Sequence, residues 1–259
     1  MKHSYFILLF SSLLLFMQSD LYSQINGISG SKLCIPHAST LEKGSFEFEQ
    51  SISVFNASHV FNSEGDINPI AGTTTQSDMA FRITLGVSDY FELGTAFLSG
   101  MDEIFVGTKF RIFNQDYLGI ALLTGMSIPA GNHDAAEQKA YGSYSYSIGT
   151  ALTKDFTKKF SSDLCFAYTK FSSSGEFSYA FNYGISFGYY LLDNFQFATE
   201  FIGINSFSEE INSGKLSIAP GFTYDFSNNL GLAAGIQKDI FGKNELDGLG
   251  FFSVFTMNF

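Results

Sequence analysis

From Ser45 to the C-terminus the chain alternates apolar and polar positions in segments of roughly ten residues, broken by short groups of turn residues. The stretch from Phe177 to Leu191 shows it best. Phe177, Tyr179, Phe181, Tyr183, Ile185, Phe187, Tyr189 and Leu191 fall on one face, and Ser178, Ala180, Asn182, Gly184, Ser186 and Gly188 on the other. A two-residue period places successive side chains on opposite faces of a β-strand. It predicts strands at about 45 to 56, 78 to 87, 91 to 99, 103 to 113, 117 to 128, 141 to 152, 160 to 171, 177 to 191, 195 to 205, 215 to 226, 230 to 240 and 249 to 259. No helical period interrupts them.

Alternation alone fits two architectures. In a water-soluble sandwich the aromatic face would point inward; in a membrane barrel it meets lipid, and the small polar face lines a lumen. Three further features choose the barrel. Lys2 and His3, the apolar run Tyr5 to Met17 and the polar stretch Gln18 to Gln24 form a secretory signal peptide, too short in its apolar part for a spanning helix of about 20 residues. Cleavage is expected near Ser23. The connections alternate in length: Ser88 to Tyr90, Asn114 to Asp116, Asp193 to Asn194 and Ser227 to Asn229 are tight, whereas 57 to 77, 129 to 140, 206 to 214 and 241 to 248 are long. The short loop Gly100 to Asp102 and the longer inner turn 153 to 159 blur this rule and leave ten or fourteen strands open. Last, Phe251, Phe255, Met257 and Phe259 alternate up to an aromatic terminus, a form similar to the signal read by the barrel-insertion machinery. The fold class expected is therefore all-β, a transmembrane antiparallel up-and-down β-barrel of about twelve strands. It divides into a signal peptide (1–23), a periplasmic N-terminal segment (24–44) and an outer-membrane barrel (45–259).

Composition agrees: the chain has 31 Phe, 13 Tyr and no Trp against only 14 Lys plus Arg, so tyrosines such as Tyr144, Tyr146, Tyr179 and Tyr189 would form the interfacial girdles. The formal net charge of -11 is unchanged by loss of residues 1–23, which remove one Lys and one Asp, and it argues against nucleic acid as a partner. The expected surroundings are outer-membrane lipid, the insertion machinery and a small-molecule solute.

The strand phase puts Glu47, Glu49, Arg82, Glu92, Lys109, Arg111, Asp163, Asn182, Gln196 and Glu200 on the lumen face. Facing lipid at mid-depth, Arg or Lys would cost roughly 2–4 kcal/mol each. These residues either wall a solute pathway or close the interior, Arg82 and Glu92 neutralising each other on neighbouring strands. The segment 24–44, with Gly27, Gly30, Cys34, Pro36 and His37, is either a disordered periplasmic lead or a partial plug of the lumen. A disulfide between Cys34 and Cys165 is not favoured by their spacing and contexts. Of the four histidines, His3 lies in the signal, His37 in the N-terminal segment, and His59 and His133 in predicted outer loops, none on a strand. A hydrolytic site would have to combine His59 or His133 with Asp66, Asp134 or Glu137. No catalytic residue, metal-ligand spacing or cofactor motif is assigned.

The strings LEKGSFEFE (41–49), GVSDYFELG (86–94), VGTKFRIF (106–113), SIPAG (127–131) and GFTYDFSNNLGL (221–232), in that order, resemble the outer-membrane family labelled for the MetA pathway of phenol degradation, a group of transporter-like barrels. The resemblance runs from about residue 41 to the end. It implies uptake of small, often aromatic or hydrophobic compounds, and brings no catalytic residues. The mixed charges of the lumen face depart from a purely hydrophobic conduit. Two roles stay open: passive transport of a small solute, or a non-conducting structural or surface-binding barrel acting through its outer loops.

Overall fold

The computed structural model describes residues 25, 27–30, 32–101, 103–130, 144–172, 177–208 and 211–259. The signal peptide and its cleavage site, and His133, Asp134 and Glu137, lie outside the described residues.

Twelve strands are present among these residues: β1 (Phe46–Phe61), β2 (Ile67–Ser88), β3 (Phe91–Leu98), β4 (Glu103–Gln115), β5 (Leu118–Pro129), β6 (Ser145–Asp155), β7 (Phe160–Phe171), β8 (Tyr179–Leu192), β9 (Phe195–Phe207), β10 (Asn212–Ser227), β11 (Leu230–Lys243) and β12 (Glu245–Asn258). Each pairs antiparallel with its neighbours in sequence, and β1 pairs with β12, so the sheet closes on itself. Closure is what hydrocarbon demands, because every backbone N–H and C=O must find a partner and an open sheet leaves two edges unpaired. The seam is finished by the C-terminus itself. The Phe46 N–H donates to the Phe259 carbonyl at 3.0 Å and the Phe259 N–H returns to the Phe46 carbonyl at 2.8 Å, with the two rings 5.9 Å apart.

The alternation resolves into an apolar outside and a small, polar inside. Tyr183, Phe187, Tyr189 and Leu191 of β8 are exposed on the outer wall, while Ala180 and Ser186 are buried. Tyr144, Tyr146 and Tyr179 lie where β6 and β8 begin, at the loop end, and Tyr189 lies near the opposite, turn end.

Two predicted loops are strand instead. Of 57 to 77 only residues 62–66 connect, because β1 and β2 climb as one hairpin past a bulge at Ala57 to His59, with Phe61 opposite Ile67. Likewise 241 to 248 shrinks to a turn at Asn244 (φ 51°) between β11 and β12. The reason is solvent. Above the bilayer neither face has to be apolar, so runs such as Thr73 to Ser77 lose the alternating signal while the ladder of hydrogen bonds continues. His59 therefore lies on a strand, contrary to expectation.

Candidate functional site

Residues 25–44 do not hang below the barrel. The described residues among them fold back through its turn end as an irregular strap and pack into that half of the lumen. Ile25, Ile28, Ile35 and Ala38 are buried with the wall residues Ala121, Leu123, Ala151, Cys165 and Ala167. Leu33 and Cys34 are buried with Ala198, Ala219 and Phe252. Each large aliphatic side chain removed from water in this way contributes about 1.5–3 kcal/mol. The strap turns back on itself where the His37 N–H donates to the Gly30 carbonyl at 3.1 Å, with φ of +63° at Gly30 and +86° at Gly27.

The wall is carved to receive it. A Cβ on Gly94 (β3) would sit 2.2 Å from the Gly27 carbonyl oxygen, one on Gly125 (β5) 2.7 Å from Ile25 Cγ2, and one on Gly188 (β8) 2.5 Å from Lys32 Cε. Glycine in a strand interior weakens the strand, and close approach of another backbone is a recurrent reason to keep it.

Wall charges hold the strap by its main chain. Glu92 accepts the Ser29 N–H at 2.7 Å, the Ser29 hydroxyl at 2.6 Å and the Leu41 N–H at 2.8 Å. Lys109, 3.3 Å from Glu92, donates to the Ser29 and Ser39 carbonyls at 2.7 and 2.8 Å. Glu200 accepts three consecutive N–H groups, Leu33 at 3.1 Å, Cys34 at 2.8 Å and Ile35 at 3.1 Å. Asp163 is ion-paired with Lys32, and its other oxygen accepts the Thr153 hydroxyl at 2.7 Å, which in turn accepts the Ala38 N–H at 2.8 Å. Glu92, Lys109, Asp163 and Glu200 are all 0% exposed, so these contacts decide whether the buried charges are tolerable at all.

The ten lumen candidates separate into groups. Arg82 bonds Glu47 at 2.7 Å and Glu49 at 2.6 Å, all within the β1–β2 wall. The expected Arg82–Glu92 neutralisation is not formed. The register sets Glu49 opposite Arg82 and Glu92 opposite Lys109, so these charges pair directly across their ladders, and Glu47, opposite Thr84, reaches Arg82 on the diagonal. Arg111 stands over the Tyr90 ring at 5.2 Å near the turn end, Asn182 donates to the Thr169 hydroxyl at 3.4 Å, and Gln196 is buried low on β9. Sequence reasoning did not single out Ser29, Lys32 or the wall glycines. A signal was present: Ile25, Ile28, Leu33 and Ile35 are too apolar for a segment meant only for water.

The remaining chemistry is sparse. His59 Nδ1 meets its neighbour Ser58 at 2.9 Å, and Asp66 is taken up by the Asn62 turn. Cys34 and Cys165 are both free thiols and both buried.

Together these features define a class: a closed twelve-stranded transmembrane β-barrel whose N-terminal strap occupies the lumen. The chain belongs to the family described as "Putative MetA-pathway of phenol degradation", whose sequence profile matches residues 37–254. No curated protein matches it in sequence. Among solved structures it is similar to an outer membrane channel from Pseudomonas putida F1, with a TM-score of 0.72 at 11% identity over 86% of this chain and 98% of that one. It is also similar to the KdgM porin in complex with oligogalacturonate, with a TM-score of 0.55 at 8% identity over 83% and 99%. A deletion mutant of the TodX monoaromatic hydrocarbon channel gives a TM-score of 0.50 at 9% identity over 93% and 100%. At these identities the likeness is one of fold.

Proposed function

We propose that the protein is a passive outer-membrane channel for a small solute, closed in its turn-end half by the strap. The observation that carries this reading is the way the lumen is filled. A barrel sealed by its own wall would match inward charges across the interior, whereas here Asp163 and Glu200 are satisfied by a segment whose covalent connection to the wall runs through Gly44 and Ser45. A plug held by hydrogen bonds and apolar contacts can leave; a packed wall cannot. The signal peptide read in residues 1–23 and the aromatic outer wall support an outer-membrane location, with the terminal Phe259 presented to the insertion machinery. The names of the similar structures, channels and a porin, point the same way, and no catalytic role is proposed.

The test is conductance, or swelling of liposomes, with the purified, refolded full-length chain. Small, intermittent conductance is expected, rising in Gly27→Val, where the added side chain would meet the Gly107 amide and the Gly94 carbonyl. A bilayer that stays sealed at high protein load for both proteins would favour the second reading, a non-conducting barrel acting at its surface. The raised, largely polar β1–β2 hairpin is the feature that would serve it.

A further inference from the structure

The charged groups of the lumen are not distributed evenly. On the arc β1–β4 they are matched inside the wall: Arg82 with Glu47 and Glu49, Lys109 with Glu92. On the arc β5–β9 the buried charged side chains of the wall itself, among the described residues, are Asp163 and Glu200, both negative, with no buried Lys or Arg on those strands. They share one rung of the sheet, since Asp163 pairs with Ser186 and Ser186 with Glu200, which sets their strands about 9–10 Å apart. Everything that compensates them, apart from wall hydroxyls on Asp163, comes from the strap: one ammonium on Asp163 and three N–H donors on Glu200.

A buried carboxylate stripped of its partners is strongly unfavourable. The strap can therefore leave readily only when something else brings positive charge and N–H donors to the same two groups. In the seated state Lys32 and the amides of residues 33–35 have the chemistry of such a ligand, tethered to the barrel.

We infer that Asp163 and Glu200 are the solute-selecting residues of the opened lumen, and that they select an organic cation carrying several N–H donors, of the ammonium or guanidinium class. This rests on the channel reading above and adds the solute's charge to it. The strap then acts as an internal competitor for the solute, so opening and selection use the same two carboxylates.

The experiment uses the full-length chain in planar bilayers, with the strap unseated by Gly27→Val or, from the wall side, by Gly125→Leu, which would strike Ile25. Reversal potentials are measured in a tenfold KCl gradient, and again with guanidinium chloride opposed to KCl. The expected result is a cation preference of several-fold, with guanidinium more permeant than potassium. Adding Asp163→Asn and Glu200→Gln in the same background should bring both ratios close to one. Anion preference, or ratios unmoved by the two substitutions in a conducting barrel, would overturn the inference and leave the channel reading intact. Absence of conductance in every variant would overturn the channel reading and this inference with it.

Discussion

The seating of the strap makes Gly27 the most informative position to perturb. Its backbone sits at φ +86°, and a Cβ there would lie 2.8 Å from the Gly107 nitrogen and 3.0 Å from the Gly94 oxygen, both main-chain atoms that cannot swing away. Val at this position adds a left-handed backbone penalty of about 1–2 kcal/mol and an overpacking penalty of about 1–3 kcal/mol. In the released strap neither applies, so the whole of it, about 2–5 kcal/mol, moves the equilibrium between seated and released. At 1.4 kcal/mol per factor of ten this is roughly thirtyfold to a few thousandfold in the released population. Cys34 reports on it directly, being buried against Ala198 and Ala219 when the strap is seated. With Cys165 replaced by Ala, the rate at which a maleimide reagent labels Cys34 in the folded barrel follows the released population while reclosing is fast. The Gly27→Val chain should label at least thirtyfold faster, with heat-modifiable gel mobility showing the barrel intact. Labelling rates within twofold of one another would refute the seating described above.

Two further outcomes follow from the same contacts. Arg82→Gln leaves the buried Glu47 and the partly buried Glu49 on one wall without their cation and should destabilise the barrel by about 3–5 kcal/mol, seen as a lowered thermal unfolding midpoint; replacing both glutamates by Gln as well should restore most of it, and an unchanged midpoint in the single variant would refute the pairing. His37 is held down to about 4 by burial first and then by the Lys109 charge, with Lys32 acting the same way and Asp163 and Glu92 opposing. The released strap, with His37 near 6.5, binds the proton more tightly, so the seat is at full strength above about pH 6.5 and weakens as the pH falls towards 4. Conductance should therefore rise over that window, and His37→Gln should flatten the part of the rise that belongs to the imidazole; identical pH profiles would count against it.

How far the chain could be read without coordinates differs between wall and lumen. The phase of Glu92, Lys109, Asp163 and Glu200 is legible because it follows from a two-residue period, a property of neighbouring positions; the closing of the sheet follows from the membrane, which tolerates no free edge, and the count of twelve strands was legible only to within two, because the connections at 100–102 and 153–159 break the length rule. The extent of β1 and β2 was not, since Thr73 to Ser77 lie where both faces meet water and no alternation marks the ladder. The partner of Arg82 was not legible either. Glu47, Glu49 and Glu92 all lie on strands adjacent to β2, and the register alone set Glu49 opposite Arg82 and sent Glu92 to Lys109.

The sequence by itself determined that this protein is a membrane barrel, because the alternating faces that lipid and lumen impose coincide with a signal peptide, connections of alternating length and an aromatic terminus at Phe259. Only the tertiary structure decided what fills it. Ser29 meets Glu92 across 63 residues and Cys34 meets Glu200 across 166. Contacts so distant in sequence leave no period along the chain, and they exist only once closure has brought β3, β7 and β9 around a common axis. Until then the strap is a short apolar segment with nowhere to go, and Asp163 and Glu200 are two carboxylates on separate hairpins.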